Sequence, residues 1–310
     1  MNLEEGLVIK TTGSWYYVKS ADEKVIPCKI RGTFRIKGIR ATNPVAVGDK
    51  VKFRRISDQD GGVIEKISER KNYIIRKASN LSFEYQLIAC NIDQAVLMVS
   101  LVQPKTFLEF IDRFLVSAEA FRIPVIILFN KTDVYQEKEN KELENLLLTY
   151  GDIGYQCLPI SLKKGLGIDL IRDIIQSKVT VIAGNSGVGK STLLNTLDPS
   201  LQLKTNDISV SNKSGRHTTT YAEMHFLDSE TMVVDTPGIK GYGMVNISKD
   251  ELFHFFPEIF EASKDCKFNN CLHLNEPDCA VRKAVENEVI SLSRYQSYIN
   301  LLGDFDSKYR

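Results

Sequence analysis

The segment Gly184–Ser191 has the residue types and spacing of a loop that binds phosphate groups. It matches the pattern G-x-x-x-x-G-K-[ST]. Glycines allow backbone N–H groups to point at phosphate oxygens, and a helix that begins there adds partial positive charge. Lys190 is expected to reach the β- and γ-phosphates of a nucleotide, and the Ser191 hydroxyl to bind Mg²⁺. The expected nucleotide contacts here are Gly184, Asn185, Ser186, Gly187, Val188, Gly189, Lys190, Ser191 and Thr192. The alternative is an ordinary strand–helix loop with a chance lysine.

A second group, Asn130-Lys131-Thr132-Asp133, has the residues that distinguish guanine from adenine. Asp133 would accept hydrogen bonds from guanine N1–H and the N2 amine. Adenine offers neither donor, and a polar group left without its partner makes such discrimination large. Asn130 is expected to bond the base and neighbouring loops, and the Lys131 stem to cover the ring. The alternative is a helix cap, because Thr132 and Asp133 precede a Glu/Lys-rich helical pattern at 137–149.

Two further segments are expected to complete this site. Ser161, after a short strand, predicts a second loop that contacts the base. In Asp235-Thr236-Pro237-Gly238, Asp235 is expected to support Mg²⁺ through water, and the Gly238 N–H to bind the γ-phosphate.

The segment Gly215–Thr220 adds candidates for catalysis. We favour Thr219 over Thr218 as the threonine that binds Mg²⁺, and we assign a catalytic role to Thr219 together with Lys190. His217 is a candidate for placing the attacking water, and a solvated loop histidine is the alternative. Ile239 stands where many GTPases carry a water-orienting glutamine, which predicts slow hydrolysis without a partner.

The order of these motifs predicts a rearranged domain. Base recognition comes first, then the phosphate loop, then Asp235, whereas most GTP-binding domains begin with the phosphate loop. The apolar runs 124–129, 179–183 and 232–234 predict buried parallel strands, with a helix over 191–197. Ligands bind beyond the carboxyl ends of such strands. The pattern indicates an α/β P-loop GTPase core that is circularly permuted.

Residues 1–67 predict a different architecture, an all-β barrel of the OB-fold type. Short strands with turn signals are expected at Gly6–Lys10, Ser14–Lys19, Val25–Ile30, Val47–Ile56 and Val63–Ile67. Between positions 29 and 55 lie nine cations and a single acidic residue, a net charge of +8. With Phe34 and Trp15-Tyr16-Tyr17 as aromatic surface, this pattern indicates an RNA-binding face. A solvated charged loop beside core aromatics is the alternative.

The C-terminal part contains four side chains of the types that bind zinc, in the pattern C-x₄-C-x-H-x₅-C: Cys266, Cys271, His273 and Cys279. Three thiolates and one imidazole suit a closed, structural Zn²⁺ site. A disulfide is the competing interpretation, although intracellular chains rarely keep them. A helical pattern follows over Ala280–Leu302, and we expect Arg282, Lys283 and Arg294 to be available for a partner.

We therefore predict an OB-fold RNA-binding domain at 1–67, a circularly permuted GTPase domain at 68–242, in which 68–93 connects the barrel to the core, and a mainly helical zinc-binding domain at 243–310. The core's first strand is expected at Ala95–Leu101. Cys28, Cys90 and Cys157 are interpreted as inert core thiols. The sequence contains neither a signal-peptide pattern nor a long apolar run, so we expect a cytoplasmic protein.

Three features occur together in this chain: an N-terminal barrel, the motifs GNSGVGKST, GRHTTT and DTPG, and a C-terminal cysteine–histidine module. This combination resembles the bacterial ribosome small-subunit-dependent GTPase A family, RsgA. The resemblance covers essentially the whole chain. It implies a late factor in maturation of the 30S subunit, whose GTPase is stimulated by the subunit and whose outer domains contact 16S rRNA. We expect a monomer with no membrane partner. Its cofactors would be GTP or GDP, Mg²⁺ and one structural Zn²⁺. It also implies that His217 is the switch histidine involved in ribosome-stimulated hydrolysis.

Two other functions are compatible with the motifs. One is an RNA-binding switch for which turnover is incidental, since Ile239 predicts slow hydrolysis in either case. The other is a permuted GTPase that serves the large ribosomal subunit, against which the barrel and the zinc module argue.

Overall fold

The computed structural model describes residues 3–30, 43–56, 61–77, 85–204, 222–236 and 247–307. The strands in these ranges are β1 (Glu4–Thr11), β2 (Tyr16–Ser20), β3 (Val25–Ile30), β4 (Lys50–Ile56), β5 (Gly61–Ile67), β6 (Tyr73–Lys77), β7 (Tyr85–Cys90), β8 (Gln94–Val99), β9 (Val125–Phe129), β10 (Gln156–Pro159), β11 (Val179–Gly184), β12 (Glu223–Phe226) and β13 (Met232–Asp235). The α-helices are α1 (Leu108–Ala120), α2 (Glu137–Ile153), α3 (Ile168–Ile175), α4 (Lys190–Leu197), α5 (Pro257–Ser263), α6 (Ala280–Glu286) and α7 (Leu292–Ser307).

The central sheet confirms the predicted α/β core. Its order is β10-β9-β8-β11-β13-β12, parallel except for β12. All six residues of β8 are buried because helices cover both faces. Since side chains alternate along a strand, Leu97 packs toward α1 and α2, whereas Met98 packs toward α3 and α4. The strand order reverses at β8, and open α/β sheets bind ligands beyond the carboxyl ends of the strands at such a point.

The N-terminal barrel is also confirmed. Strands β1-β2-β3-β5-β4 close through pairing of β1 with β4, and β3 runs parallel to β5. This is the strand order of a five-stranded OB-type barrel. Its interior is filled by the side chains that face inward, including Val8, Val18, Phe53 and Ile64.

The barrel is joined to the central sheet edge to edge. Residues Glu4–Leu7 of β1 pair with β4, and further along the same strand Lys10 pairs with Glu223 of β12. The Lys10 ammonium also lies 2.9 Å from the Glu223 carboxylate. As a result eleven strands form one continuous sheet.

Residues 68–93 contain more structure than the connector predicted from the sequence. Strands β6 and β7 form an antiparallel two-stranded ribbon, and the Cys90 N–H donates to the Val47 carbonyl of the barrel region, 2.9 Å away. The ribbon is short and its strands lack clean apolar alternation, so periodicity does not reveal it. The first core strand begins at Gln94 and ends at Val99, two residues before the predicted end.

The C-terminal region packs as a helical unit against α1. Its apolar cluster includes Phe256, Ile259, Tyr298 and Leu301, and it also contains Val116 of α1. The helical pattern predicted over 280–302 is divided into α6 and α7 by a turn in which Glu288 has φ 58°. Among the described residues, no helix is both long and apolar enough to cross a bilayer.

The prediction that Arg294 is available for a partner is wrong. Its side chain is 1 % exposed, and its guanidinium donates to Asp112 of α1 at 2.6 Å and to Glu258 of α5 at 2.7 Å. It lies over the ring of Phe256. Its partners lie far away in the sequence, which is why a local pattern suggests a surface position.

Candidate functional site

The phosphate-binding loop connects β11 to α4 as predicted. Gly184 and Gly189 have φ values of 143° and 113°, which side chains other than glycine rarely adopt. A Cβ at Gly184 would lie 2.4 Å from the Met98 carbonyl oxygen, and one at Gly189 would lie 2.6 Å from the Asn130 amide nitrogen. Both positions therefore require glycine.

Lys190 is the first residue of α4, and its ammonium turns back into the loop. It donates to the carbonyls of Gly184 at 2.8 Å and Asn185 at 3.0 Å. Burial lowers the pKa of Lys190 to about 8, and the nearby Asp235 carboxylate opposes that shift. A phosphate beside this ammonium would favour its charged form. Backbone N–H groups, a helix start and a lysine in one loop fit a polyphosphate.

The base-reading tetrad is bonded directly to the phosphate loop. The Asn130 amide donates to the Val188 carbonyl at 2.9 Å, and its oxygen accepts from the Leu162 N–H at 3.2 Å. The Lys131 ammonium donates to the Gly187 carbonyl at 3.0 Å. These contacts bring the ends of β9 and β11 into one site.

The tetrad does not cap a helix, which was the alternative. Helix α2 begins at Glu137 and its N-cap is Gln136, which forms a capping box with Glu139. Thr132–Val134 instead form a separate 3₁₀ turn. The Thr132 hydroxyl donates to the Ile160 carbonyl at 2.9 Å and holds this turn against the loop that contains Ser161.

Ser161 lies beside Asp133, as a shared site requires. Its buried hydroxyl donates to one Asp133 carboxylate oxygen at 2.6 Å, and it accepts from the Lys164 N–H. Asp133 itself is exposed to solvent. The bond restrains the carboxylate, and a carboxylate has further acceptor positions with which it could bind two donors of a base.

Asp235 ends β13 next to the phosphate loop. It pairs in register with Ile182, and the following Thr236 hydroxyl donates to the Ile182 carbonyl at 2.8 Å. This places the carboxylate at the same sheet edge as Lys190. The predicted roles of His217, Thr219, Gly238 and Ile239 concern positions outside the described residues.

One contributor to the site was missed in the sequence. The Lys131 ammonium also donates to the Gln103 carbonyl, in the loop that follows β8. That loop leaves the carboxyl end of the strand at which the sheet order reverses, so its position in the topology was the available signal.

The four predicted metal ligands come together in the C-terminal region. Their ligand atoms all lie within 4.8 Å of one another, and three of the four residues are buried. The His273 Nδ1 lies 3.6 Å from the Cys266 sulfur and 3.5 Å from that of Cys279, and these sulfurs are 3.9 Å apart. A tetrahedral Zn²⁺ places sulfur atoms about 3.8 Å apart, and sulfur about 3.5 Å from nitrogen. The cluster fits that ion, and none of its cysteines forms a disulfide.

Outer groups hold the ligand loop in shape. The Glu276 carboxylate accepts from the N–H groups of Leu272, Leu274 and Asn275. The Tyr295 hydroxyl of α7 donates to the His273 carbonyl at 2.6 Å. Such second contacts orient metal ligands and tune their affinity.

Replacement of Cys271 by serine is expected to reduce bound zinc from about one ion per chain to a small fraction, because a closed four-ligand site loses one thiolate. Elemental analysis of the purified protein measures this. Cys157→Ser is the matched control, since Cys157 lies in β10 and burial raises the pKa of its thiol to about 12. Zinc-free wild-type protein, or equal loss of zinc in both variants, would contradict the assignment.

The other two thiols outside the cluster also behave as core groups. Cys28 in β3 and Cys90 in β7 are buried, and desolvation raises the pKa of both, that of Cys28 to about 12. A protonated, inaccessible thiol is a poor nucleophile.

Within the described part of the barrel, the cationic, aromatic surface is smaller than the local composition predicts. Tyr16 is buried in the barrel core, so its assignment to an aromatic surface is wrong, whereas Trp15 is 39 % exposed with the Lys29 ammonium 4.5 Å from its ring centre. The local charge count also omits acids from neighbouring strands and from the turn between β2 and β3, and these pair with part of the stretch. The pairs are Lys52 with Glu5, Arg54 with Glu65, and Arg55 with Glu4 and Asp22. Phe34 and the cations at 31–40 lie outside the described residues.

Comparison with known proteins agrees with this geometry. The family model described as RsgA GTPase matches residues 67–245, and that described as RsgA N-terminal domain matches residues 5–64. The chain is 52 % identical to small ribosomal subunit biogenesis GTPase RsgA 2 of Bacteroides thetaiotaomicron, over 99 % of both chains. It is 48 % identical to the protein named RsgA from Christiangramia forsetii, over 99 % of this chain and 98 % of the relative.

Two solved structures are similar over almost the whole length. The crystal structure of YjeQ from Thermotoga maritima has a TM-score of 0.75 at 32 % identity, and the match covers 98 % of each chain. The structure of YloQ, described as a circularly permuted GTPase, has a TM-score of 0.70 at 34 % identity, covering 99 % of this chain and 96 % of that one.

Proposed function

The chain belongs to the RsgA GTPase family, and from this premise we propose that it is a GTP hydrolase that acts late in maturation of the 30S ribosomal subunit. The proposal rests on the hydrogen bonds that join the base-reading tetrad to the phosphate-binding loop. Asn130 and Lys131 of the base-reading tetrad donate to Val188 and Gly187 of the phosphate loop. A single ligand with a guanine at one end and phosphates at the other fits across them.

We infer separate tasks for the residues of this site. The Asp133 carboxylate, which Ser161 orients, accepts hydrogen bonds from the two guanine donors that adenine lacks. The backbone N–H groups of the phosphate loop and the Lys190 ammonium bind the phosphates. Ser191 and Thr219 hold Mg²⁺, with Asp235 supporting it through water. When bound, Mg²⁺ neutralises charge that develops on the phosphates.

We infer that hydrolysis is slow in the isolated protein and is completed by a partner. Ile239 has no group that can orient water, and His217 is the candidate for that role once the subunit is bound.

The remaining parts of the proposal concern that partner. The protein is expected to act in the cytoplasm as a monomer, to contact 16S rRNA through its barrel and zinc module, and to carry one structural Zn²⁺. Trp15 with Lys29 above its ring supports a base-stacking position on the barrel.

The direct test measures phosphate release while purified ribosomal subunits are titrated. We expect the 30S subunit to stimulate GTP hydrolysis by about tenfold or more and the 50S subunit to have little effect, because the active site is completed only on its own subunit. ATP should remain uncleaved, because adenine lacks the two donors from which Asp133 accepts hydrogen bonds. Equal rates with and without 30S subunits would favour a binding module. Preferential stimulation by 50S subunits would assign the protein to the large subunit.

A further inference from the structure

Tyr135 lies next to the base-reading tetrad, and its hydroxyl is buried. It follows the 3₁₀ turn Thr132–Val134, and its backbone N–H donates to the Thr132 carbonyl that closes the turn. The ring packs in the apolar cluster beneath the sheet. A tyrosine hydroxyl in such a place requires polar partners.

Two backbone groups of the nucleotide site form hydrogen bonds with this hydroxyl. The hydroxyl donates to the Asn130 carbonyl at 2.7 Å and accepts from the Leu101 N–H at 3.0 Å. Asn130 follows β9, whereas Leu101 follows the neighbouring strand β8. A single side chain therefore ties the tetrad to the loop that leaves β8.

This hydrogen bond lies next to a residue whose backbone conformation is unfavourable for a side chain other than glycine. The Asn130 carbonyl belongs to the peptide that precedes Lys131, and Lys131 has φ 71°, in the left-handed region. Residues other than glycine adopt this conformation at a cost, and they keep it only where surrounding contacts require it. The loop on the other side of the hydroxyl supplies the Gln103 carbonyl that binds the Lys131 ammonium. Tyr135 thus joins the two backbone segments that hold Lys131.

We propose that Tyr135 is a positioning residue for guanine recognition, which acts by fixing the Asn130–Lys131 peptide against the loop after β8. The inference rests on the proposed function, because it assigns Asn130 and Lys131 to the base. Because its hydroxyl is bonded to Asn130 and Leu101, Tyr135 acts through the tetrad and not by direct contact with the nucleotide. Its contribution appears in nucleotide affinity and is absent from the chemical step.

Tyr135→Phe tests the proposal, since it removes the hydroxyl and keeps the ring. We expect the affinity for GDP, measured by calorimetry, to fall roughly tenfold. This is the size of effect expected when a buried hydroxyl that bridges two backbone groups is removed. The KM for GTP should rise by a similar factor while kcat stays within about twofold, because contacts to the base are made equally in the ground and transition states.

Tyr155→Phe is the matched control for simple loss of stability. Tyr155 is as buried as Tyr135, both being 9 % exposed, but its hydroxyl donates to Glu119 at 3.0 Å. Both variants should melt at lower temperature, and only Tyr135→Phe should lose GDP affinity.

Unchanged GDP affinity in Tyr135→Phe, or an equal loss in both variants, would overturn the inference. So would a fall in kcat without a rise in KM. These results differ from failure of the proposed function, in which the wild-type protein itself would bind ADP as tightly as GDP.

Discussion

Replacement of Arg294 by alanine is expected to lower the free energy of unfolding by about 3–5 kcal/mol, the range for breaking a buried ion pair by removal of one partner. The guanidinium lies between Asp112 and Glu258 and is 1 % exposed. Burial alone would lower the pKa of Arg294, but the two carboxylates outweigh it and raise the pKa well above its usual range. Without the cation, the buried Asp112 and the partly buried Glu258 would be left uncompensated. Chemical denaturation measures the change.

Arg113→Ala provides the control at the same junction. Arg113 also connects α1 to α7, through an ion pair with Asp304, but both side chains are partly exposed. We expect its removal to cost less than about 1 kcal/mol, as is usual for exposed pairs. If the two substitutions had equal effects, the buried network would not be what holds the C-terminal helices to the core.

Asp133→Asn is expected to weaken GTP binding by about a hundredfold to ten-thousandfold, because two charge-assisted hydrogen bonds are each replaced by a mismatched donor or a weaker acceptor. The carboxamide can donate where the carboxylate accepts, so the variant should bind xanthosine triphosphate more tightly than the wild type does. Isothermal titration with both nucleotides measures the exchange of preference.

Asp152→Asn serves as the comparison for this effect. Asp152 is an exposed residue near the end of α2, and its substitution should leave both affinities unchanged. GTP affinity that survives in Asp133→Asn would remove this carboxylate from the base site and would leave the guanine preference without an explanation.

The parts of the molecule that the sequence predicts well are those whose chemistry is local. The phosphate loop, the tetrad and the Cys₃His cluster each lie within a short segment, so residue type and spacing are sufficient. The strands of the barrel and the core follow from apolar alternation or apolar runs, and their predicted bounds agree with the structure to within a few residues.

The parts that were missed or wrong depend on pairing between distant segments. Arg294 and Asp112 are 182 positions apart, and Tyr135 reaches Leu101 across 34. In the barrel, the acids that pair with Arg54 and Arg55 come from other strands and from the turn between β2 and β3, which a charge count over one segment cannot include. Tyr16 is buried because strand alternation turns it inward, whereas its neighbour Trp15 lies just before the strand.

The edge-to-edge junction between β1 and β12 has a mechanical consequence. The hairpin of β12 and β13 separates positions 205–221 from positions 237–246, the two stretches in which the sequence predicts the groups that sense the terminal phosphate. Because backbone pairing fastens the barrel to that hairpin, torque applied to the barrel would act directly on the strands between these stretches. Rotation at this seam must either rupture the pairing of Lys10 with Glu223 or carry β12 along.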